Sequence, residues 1–176
     1  MWEYYGYPHR LIYEGNFINN IKNGYFKEYD YNELKFEGEY LNGKRNGKGK
    51  EYNLYSKLIF EGNYINDKRN GKGKEFNFQK EIIFEGEYLN DKRWNGKGKE
   101  YTCGNLIYEG EYLNGKWNGF GKEYYKNQKI KYIGEFLDGK YNVKGTEYFQ
   151  NGKTKFNGEF LNGNKVKKRK KNKTIE

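Results

Sequence analysis

Residues 59–76 read Ile-Phe-Glu-Gly-Asn-Tyr-Ile-Asn-Asp-Lys-Arg-Asn-Gly-Lys-Gly-Lys-Glu-Phe. Both flanks of this stretch alternate with period two, the pattern of a strand with one face buried. Its spaced glycines argue against a helix. The middle, Asn66-Asp67-Lys68-Arg69, is turn chemistry, since Asn and Asp tolerate the positive φ of a tight reversal. The stretch therefore predicts a β-hairpin. Charge selects the register. With Glu61 opposite Lys74, Ile59 faces Phe76, Gly62 faces Gly73 and Tyr64 faces Gly71. A slip by one sets Glu61 against Glu75, and opposed like charges cost energy where a matched cross-strand pair contributes about 0.2–1 kcal/mol. The chosen register puts Phe60, Gly62, Tyr64, Gly71, Gly73 and Glu75 on one face. Aromatic rings then lie over bare glycine backbone, while Glu61, Lys72 and Lys74 occupy the other face.

The same phrase recurs along the chain. Its central glycine stands at Gly15, Gly38, Gly62, Gly86, Gly110, Gly134 and Gly158, one step of 23 and then five of 24. A fixed period of this size marks a repeat array, in which each unit packs on its neighbours. Short links such as Asn53 to Lys57 join one hairpin to the next, so the hairpins form a meander of up to about fourteen antiparallel strands, roughly 60–70 Å across. The predicted fold is all-β: an open, elongated, single-layer antiparallel sheet of about seven 24-residue hairpins, twisted into a trough. Closure into a barrel is the alternative; identical repeats with no closing feature favour the open form. Residues 1–10 read as an N-terminal cap strand, 11–164 as the array and 165–176 as a basic tail without order.

Composition fits this reading. Of 176 residues, 20 are Tyr, 12 are Phe and 24 are Gly, and Ala is absent, so the core is made of rings over glycine rather than of aliphatic layers. The tail Lys165–Glu176 carries seven Lys/Arg against one Glu, +6 of the total charge of +10, which leaves the body close to balance. Cys103 and His9 each stand alone, without a disulfide framework or zinc spacing. No apolar run approaches the length of a membrane span, and Met1-Trp2-Glu3-Tyr4-Tyr5 lacks a signal peptide's apolar stretch, so the expected setting is a reducing, cytoplasmic one.

The pattern resembles the membrane occupation and recognition nexus (MORN) repeat, roughly Tyr-x-Gly-x-Trp-x-x-Gly-x-x-x-Gly-x-Gly. The fifth repeat, Tyr108 to Gly121, follows it well, with Tyr112 where the family commonly has Trp. The resemblance covers roughly residues 11–163. Departures are Ile133 and Val143 in the sixth repeat, Asn157 in the seventh, and an extra Trp94, read as a bulge or a longer turn in the fourth. The resemblance implies a non-catalytic adaptor near membranes or cytoskeletal structures, in some cases self-associating.

Catalysis finds no support in the residues. Ser56 is the only serine and His9 the only histidine, far apart along the array, so no nucleophile–base–carboxylate triad is in prospect. Glu61 and Glu75 are a carboxylate pair, but one copied from repeat to repeat. Gly47-Lys48-Gly49-Lys50 lacks the Ser/Thr and the helix of a phosphate loop. No cofactor or metal is expected.

Two binding surfaces are. The trough is predicted to take an extended peptide or a partner helix on Tyr40, Tyr64, Tyr88 and Tyr112, with Trp94 and Trp117 beside them. Stacked turns are predicted to align Lys44, Arg45, Lys68, Arg69, Lys92, Arg93, Lys116 and Lys140 in a basic ridge of roughly 10 Å pitch. With Lys167, Lys168, Arg169, Lys170 and Lys171 of the tail, that ridge would face acidic phospholipids. A plain solvated edge is the other reading of the ridge. The tail itself reads as a nuclear address, a nucleic-acid arm, a membrane contact or, first among these, a solubilising end. A homodimer through an unpaired terminal strand is a further expectation, while the body, with its Lys matched by Glu, is not expected to bind nucleic acid.

Overall fold

A computed structural model describes residues 2–4 and 11–167. All of its regular structure is β. The chain divides into two compact units, Met1–Gly98 and Lys99–Glu176. The first contains β1 (Trp2–Tyr4), β2 (Leu11–Ile18), β3 (Ile21–Asp30), β4 (Glu33–Leu41), β5 (Lys44–Tyr52), β6 (Leu58–Ile65), β7 (Lys68–Phe76) and β8 (Ile82–Leu89). Strand β9 (Lys92–Thr102) spans the division. The second contains β10 (Asn105–Leu113), β11 (Lys116–Tyr124), β12 (Ile130–Leu137), β13 (Lys140–Tyr148), β14 (Thr154–Leu161) and the two-residue β15 (Asn164–Lys165). The strands hydrogen-bond in chain order, β1 through β15, and the first does not pair with the last, so the sheet is open rather than a barrel.

The register follows the charges up to the glycines and then departs from them. Phe60 faces Glu75, Glu61 faces Lys74 and Gly62 faces Gly73, as expected. Beyond Gly62 the ladder slips: Tyr64 faces Arg69 and Ile65 faces Lys68, while Gly71 faces Tyr88 of the next hairpin. The cause is the turn. Asn66 and Asp67 alone reverse the chain, at φ 50° and 69°, the pair of positive angles that matches strand twist in a two-residue turn. The four-residue turn predicted from Asn-Asp-Lys-Arg is thus a two-residue turn, and Lys68 and Arg69 open the next strand. The extra residues are absorbed in a bulge whose Gly71 sits at φ 85°. Of the two readings of Trp94, the bulge holds: it lies within β9, between Arg93, which faces Tyr88, and Asn95, which faces Glu87.

The core is a single layer of rings laid on paired glycines. In the first unit Phe26, Phe36, Phe60 and Phe84 are fully buried, with Tyr40, Tyr64 and Tyr88 beside them. Rings meet edge to face along the array: Phe36 with Tyr64 at 5.2 Å and Phe60 with Tyr88 at 5.0 Å. Such pairs contribute about 0.5–1.5 kcal/mol beyond area burial. In the second unit Tyr108, Tyr132, Phe136 and Phe160 repeat the arrangement.

Glycine is required because the ring occupies the space of a side chain. A Cβ on Gly62 would stand 2.7 Å from the Gly73 Cα, the Lys72 carbonyl oxygen and the Phe60 ring tip. Two of these three neighbours are backbone and cannot swing aside. Gly62→Ala should therefore lower stability by about 1–3 kcal/mol, the usual cost of overpacking. Gly43→Ala, at a hairpin tip whose nearest neighbour is one Ile21 methyl at 3.7 Å, should cost less, its penalty coming from φ alone. Thermal unfolding of the two variants measures the difference, and equal melting temperatures would contradict the ring-on-glycine core.

Candidate functional site

The sheet has two unlike faces, and the residues singled out in the sequence divide between them. On the ring face five of the fully buried rings are capped by the residue that follows the lysine opening the next strand. Arg45, Arg69 and Arg93 lie over Phe36, Phe60 and Phe84, with guanidinium carbons 4.0, 4.2 and 4.9 Å from the ring centroids. In the second unit Trp117 stacks on Tyr108 at 4.3 Å, and Tyr141 on Tyr132 at 3.8 Å. Lys165 takes the same place over Phe156.

Every cap also reaches a glutamate of the hairpin before it. Arg45 Nη2 donates to Glu28 at 2.7 Å, and Arg69 donates to Glu51 through Nε, at 3.2 Å, and Nη2. Arg93 Nε donates to Glu75 at 2.9 Å, Trp117 Nε1 to Glu100 at 2.8 Å, and the Tyr141 hydroxyl to Glu123. Lys165 Nζ pairs with Glu147 at 2.8 Å. Core tyrosines bond to the same carboxylates, Tyr40 to Glu28 at 2.9 Å and Tyr64 to Glu51 at 2.6 Å. Burial pushes the Glu51 carboxyl up, but the bonds from Arg69 and Tyr64 and the charges of Arg69 and Arg45 outweigh it, and the group titrates below the ordinary value. Burial and the nearby carboxylates push Tyr40 and Tyr64 well above the ordinary phenol range.

This ladder changes the predicted surfaces. Tyr40, Tyr64, Tyr88 and Tyr112 are 4, 1, 2 and 7 % exposed. Of the two roles expected of them, core and groove wall, burial leaves them the first. Trp117 is held in the ladder and Trp94 is half-buried. Arg45, Arg69 and Arg93 are not turn residues of a basic ridge, because their charges are spent on ring faces and on glutamates. The exposed lysines that follow the turns are Lys44, Lys68 and Lys92 in the first unit and Lys116 and Lys140 in the second. Asp67, Asp91 and Asp138 stand between these lysines, with Lys116 paired to Asp138 at 3.3 Å. Lys167 is exposed, and Lys168, Arg169, Lys170 and Lys171 lie outside the described residues, as does His9. Cys103 is an exposed free thiol in the turn between β9 and β10.

The other face of the first unit holds a trough of about 870 Å³. Its floor is the backbone of Gly38, Gly49, Gly62, Gly73 and Gly86, the reverse side of the positions that bear the rings. Its walls are charged: Lys48, Lys50, Lys72 and Lys74 against Glu37, Glu61, Glu85 and Glu87. Lys50 pairs with Glu37 at 3.5 Å and Lys74 with Glu85 at 3.2 Å. Tyr52 donates to Glu37 at 2.7 Å, and that bond leads the effects holding the Glu37 carboxyl below its usual range. The groove expected to be aromatic is thus polar, with Tyr25 its one ring. Among the described residues no group of three or more His, Cys, Asp or Glu is placed to hold a metal.

The sequence model of the MORN repeat matches residues 13–25, 36–52, 60–76, 108–129 and 132–154. The chain belongs to the MORN repeat family. The unmatched stretch between the third and fourth matches, 77–107, contains the bulged Trp94. No curated protein matches the chain. The MORN signature accounts for the rings and glycines but not for the caps. Their signal was legible all the same: a position occupied in turn by Arg, Arg, Arg, Trp and Tyr calls for a flat group that can lie on a ring and donate a hydrogen bond.

The engaged carboxylates of the two faces, Glu37 in the trough and Glu51 and Glu147 in the ladder, carry a pH dependence. Glu37, Glu51 and Glu147 have folded pKa values below their unfolded ones. Their contribution is complete above the unfolded value, about 4.3, and is lost as pH falls through the folded value. The melting temperature should hold steady between neutral pH and about 5 and fall on further acidification. Glu51→Gln should lower stability at pH 7 by about 1.5–3 kcal/mol, as for a lost charged hydrogen bond, and should fall less on acidification than the parent. Parallel melting-temperature profiles of parent and variant down to pH 3 would show that the ladder is not the acid-sensitive element.

Proposed function

We propose that this chain is a non-catalytic scaffold that holds a protein partner on the trough of its first unit. The carrying observation is the trough itself: an open channel floored by glycine backbone and walled by side chains of alternating sign. Lys48 and Lys72 stand exposed at its wall, and Lys48 faces Asn63 where the equivalent residue of the next hairpin is Glu87. An extended peptide with acidic and small side chains fits such a channel, its carboxylates meeting these lysines while its backbone lies near the glycines. The glutamates and tyrosines of the ring face recur with the repeat and serve the ladder, which suits a display surface rather than a reaction centre. MORN repeats in general serve binding rather than catalysis.

A second reading, peripheral attachment to acidic phospholipid, draws on the hairpin tips. Leu41, Ile65 and Leu89 are exposed there, cross-strand from Lys44, Lys68 and Lys92. Aliphatic groups beside lysines suit an interface, each lysine contributing about 1 kcal/mol near an anionic surface, but Asp67 and Asp91 in the same row offset part of it.

Affinity capture from native lysate with the parent chain and with Lys48→Glu/Lys72→Glu separates the readings. A partner retained by the parent and lost by the folded variant supports the trough. Sedimentation with phosphatidylserine vesicles at low salt, abolished by Lys44→Glu/Lys68→Glu/Lys92→Glu, would favour the lipid reading instead. Identical capture by parent and trough variant would contradict the first reading.

A further inference from the structure

Along the edge of the first unit opposite the hairpin tips, the links between hairpins expose large apolar and aromatic side chains. Tyr31 is 77 % exposed, Leu54 79 %, Tyr55 74 % and Phe78 62 %. The links are built alike. In the second hairpin, Asn53 N–H donates to the Lys57 carbonyl at 2.9 Å, Ser56 N–H donates to the Asn53 carbonyl at 3.0 Å, and Ser56 takes φ 52°. Asn77 to Glu81 repeats this with Lys80 at φ 65°, and Tyr125 to Lys129 and Phe149 to Lys153 repeat it in the second unit. Where the first unit has Leu54 and Phe78 at the apex, the second has Lys126 and Gln150. Where it has Tyr55, the second has Asn127 and Asn151. The same turn thus forms with polar residues, so turn formation does not explain the apolar ones. Tyr31 is a comparable departure, a bulky ring at φ 48° in a two-residue turn whose counterparts at the hairpin tips are Asn or Asp.

These groups form one row. The Ser56 hydroxyl bonds to Glu33, which adjoins the Tyr31 turn, and Lys57 Nζ lies 5.8 Å from the Phe78 ring centroid. Successive links are two strand spacings apart, about 9.4–9.8 Å. A polyproline II helix brings every third residue to one face each 9.3 Å or so. An α-helix does this at seven residues and about 10.5 Å, and a β-strand meets the spacing near three residues, on alternating faces. Over two steps the α-helix runs out of register by about 1.4–2.2 Å and the polyproline helix by about 0.2–1 Å.

We infer that this edge is a docking row for a proline-rich peptide in the polyproline II conformation. Prolines at every third position would lie against Tyr31, Tyr55 with Leu54, and Phe78, as in other aromatic-lined proline sites. Lys57 and Lys80, exposed and without a carboxylate ion-pair partner among the described residues, would meet acidic residues between the prolines. Glu33 and Glu81 at the same edge are engaged by Ser56 and Asn77. The inference rests on the protein-binding reading above but uses a different surface.

The test is a fluorescence anisotropy titration of the full chain against a labelled peptide of four Pro-Pro-Glu repeats. Binding with Kd below about 1 mM is expected, weakened at least tenfold in Leu54→Gln/Tyr55→Asn/Phe78→Gln, which borrows residue types this chain already uses in such turns. That variant should keep the parent's circular dichroism and melting temperature. Lys48→Glu/Lys72→Glu should bind the peptide as the parent does, which keeps failure of the trough separate from failure of this edge. The inference is overturned by no binding at 1 mM protein, by undiminished binding in the triple variant, or by equal binding of a Gly-Gly-Glu peptide. A preference for an acidic heptad-patterned helix, or for phosphatidylserine vesicles, would overturn it as well.

Discussion

A ring lying flat on two facing glycines is the interaction on which this protein depends. A single-layer sheet has no second layer to bury its apolar face, so the face must cover itself. Phe60 does so by lying down along its own strand over Gly62 and Gly73, which is possible only where neither residue carries a Cβ. The sequence pays for this in helix and strand propensity, since glycine weakens both. The return is a core that extends by one hairpin at a time.

The caps follow from the same geometry. A ring on a sheet has one face on backbone and one toward solvent. Arg69 covers the outer face of Phe60 with a planar cation and anchors it to Glu51 and Glu75, on neighbouring hairpins. Trp117 and Tyr141 do this with aromatic planes in place of charge. Stacking and inter-hairpin hydrogen bonding thus reside in one side chain, which makes each repeat dependent on its neighbour. With the ring face closed in this way, what the first unit exposes is the glycine-floored trough and the rows of loop and turn residues.

Much of this was legible in the sequence. The 24-residue period fixed the hairpin array, and the opposition of Glu61 to Lys74 placed Gly62 against Gly73 correctly. The register failed beyond that point because Asn66 and Asp67 suffice for a two-residue turn, and the surplus chain has to bulge at Gly71. The same slip moved Arg69 from a turn into the core ladder, and with it the arginines of the expected basic ridge. The groove differs from expectation for a related reason: the rings that could line a channel are the ones buried as the core. The exposed Leu54 and Phe78 are not legible in the period, because they depart from the repeat rather than follow it.

Native-state hydrogen exchange, read amide by amide, tests the ring-on-glycine core most directly. The account predicts the slowest exchange at the hydrogen-bonded amides flanking the facing glycines, from Phe60 to Gly62 and from Gly73 to Glu75, with fast exchange at the hairpin tips. Exchange beside Gly62 and Gly73 as fast as at Asn66 and Asp67 would contradict it.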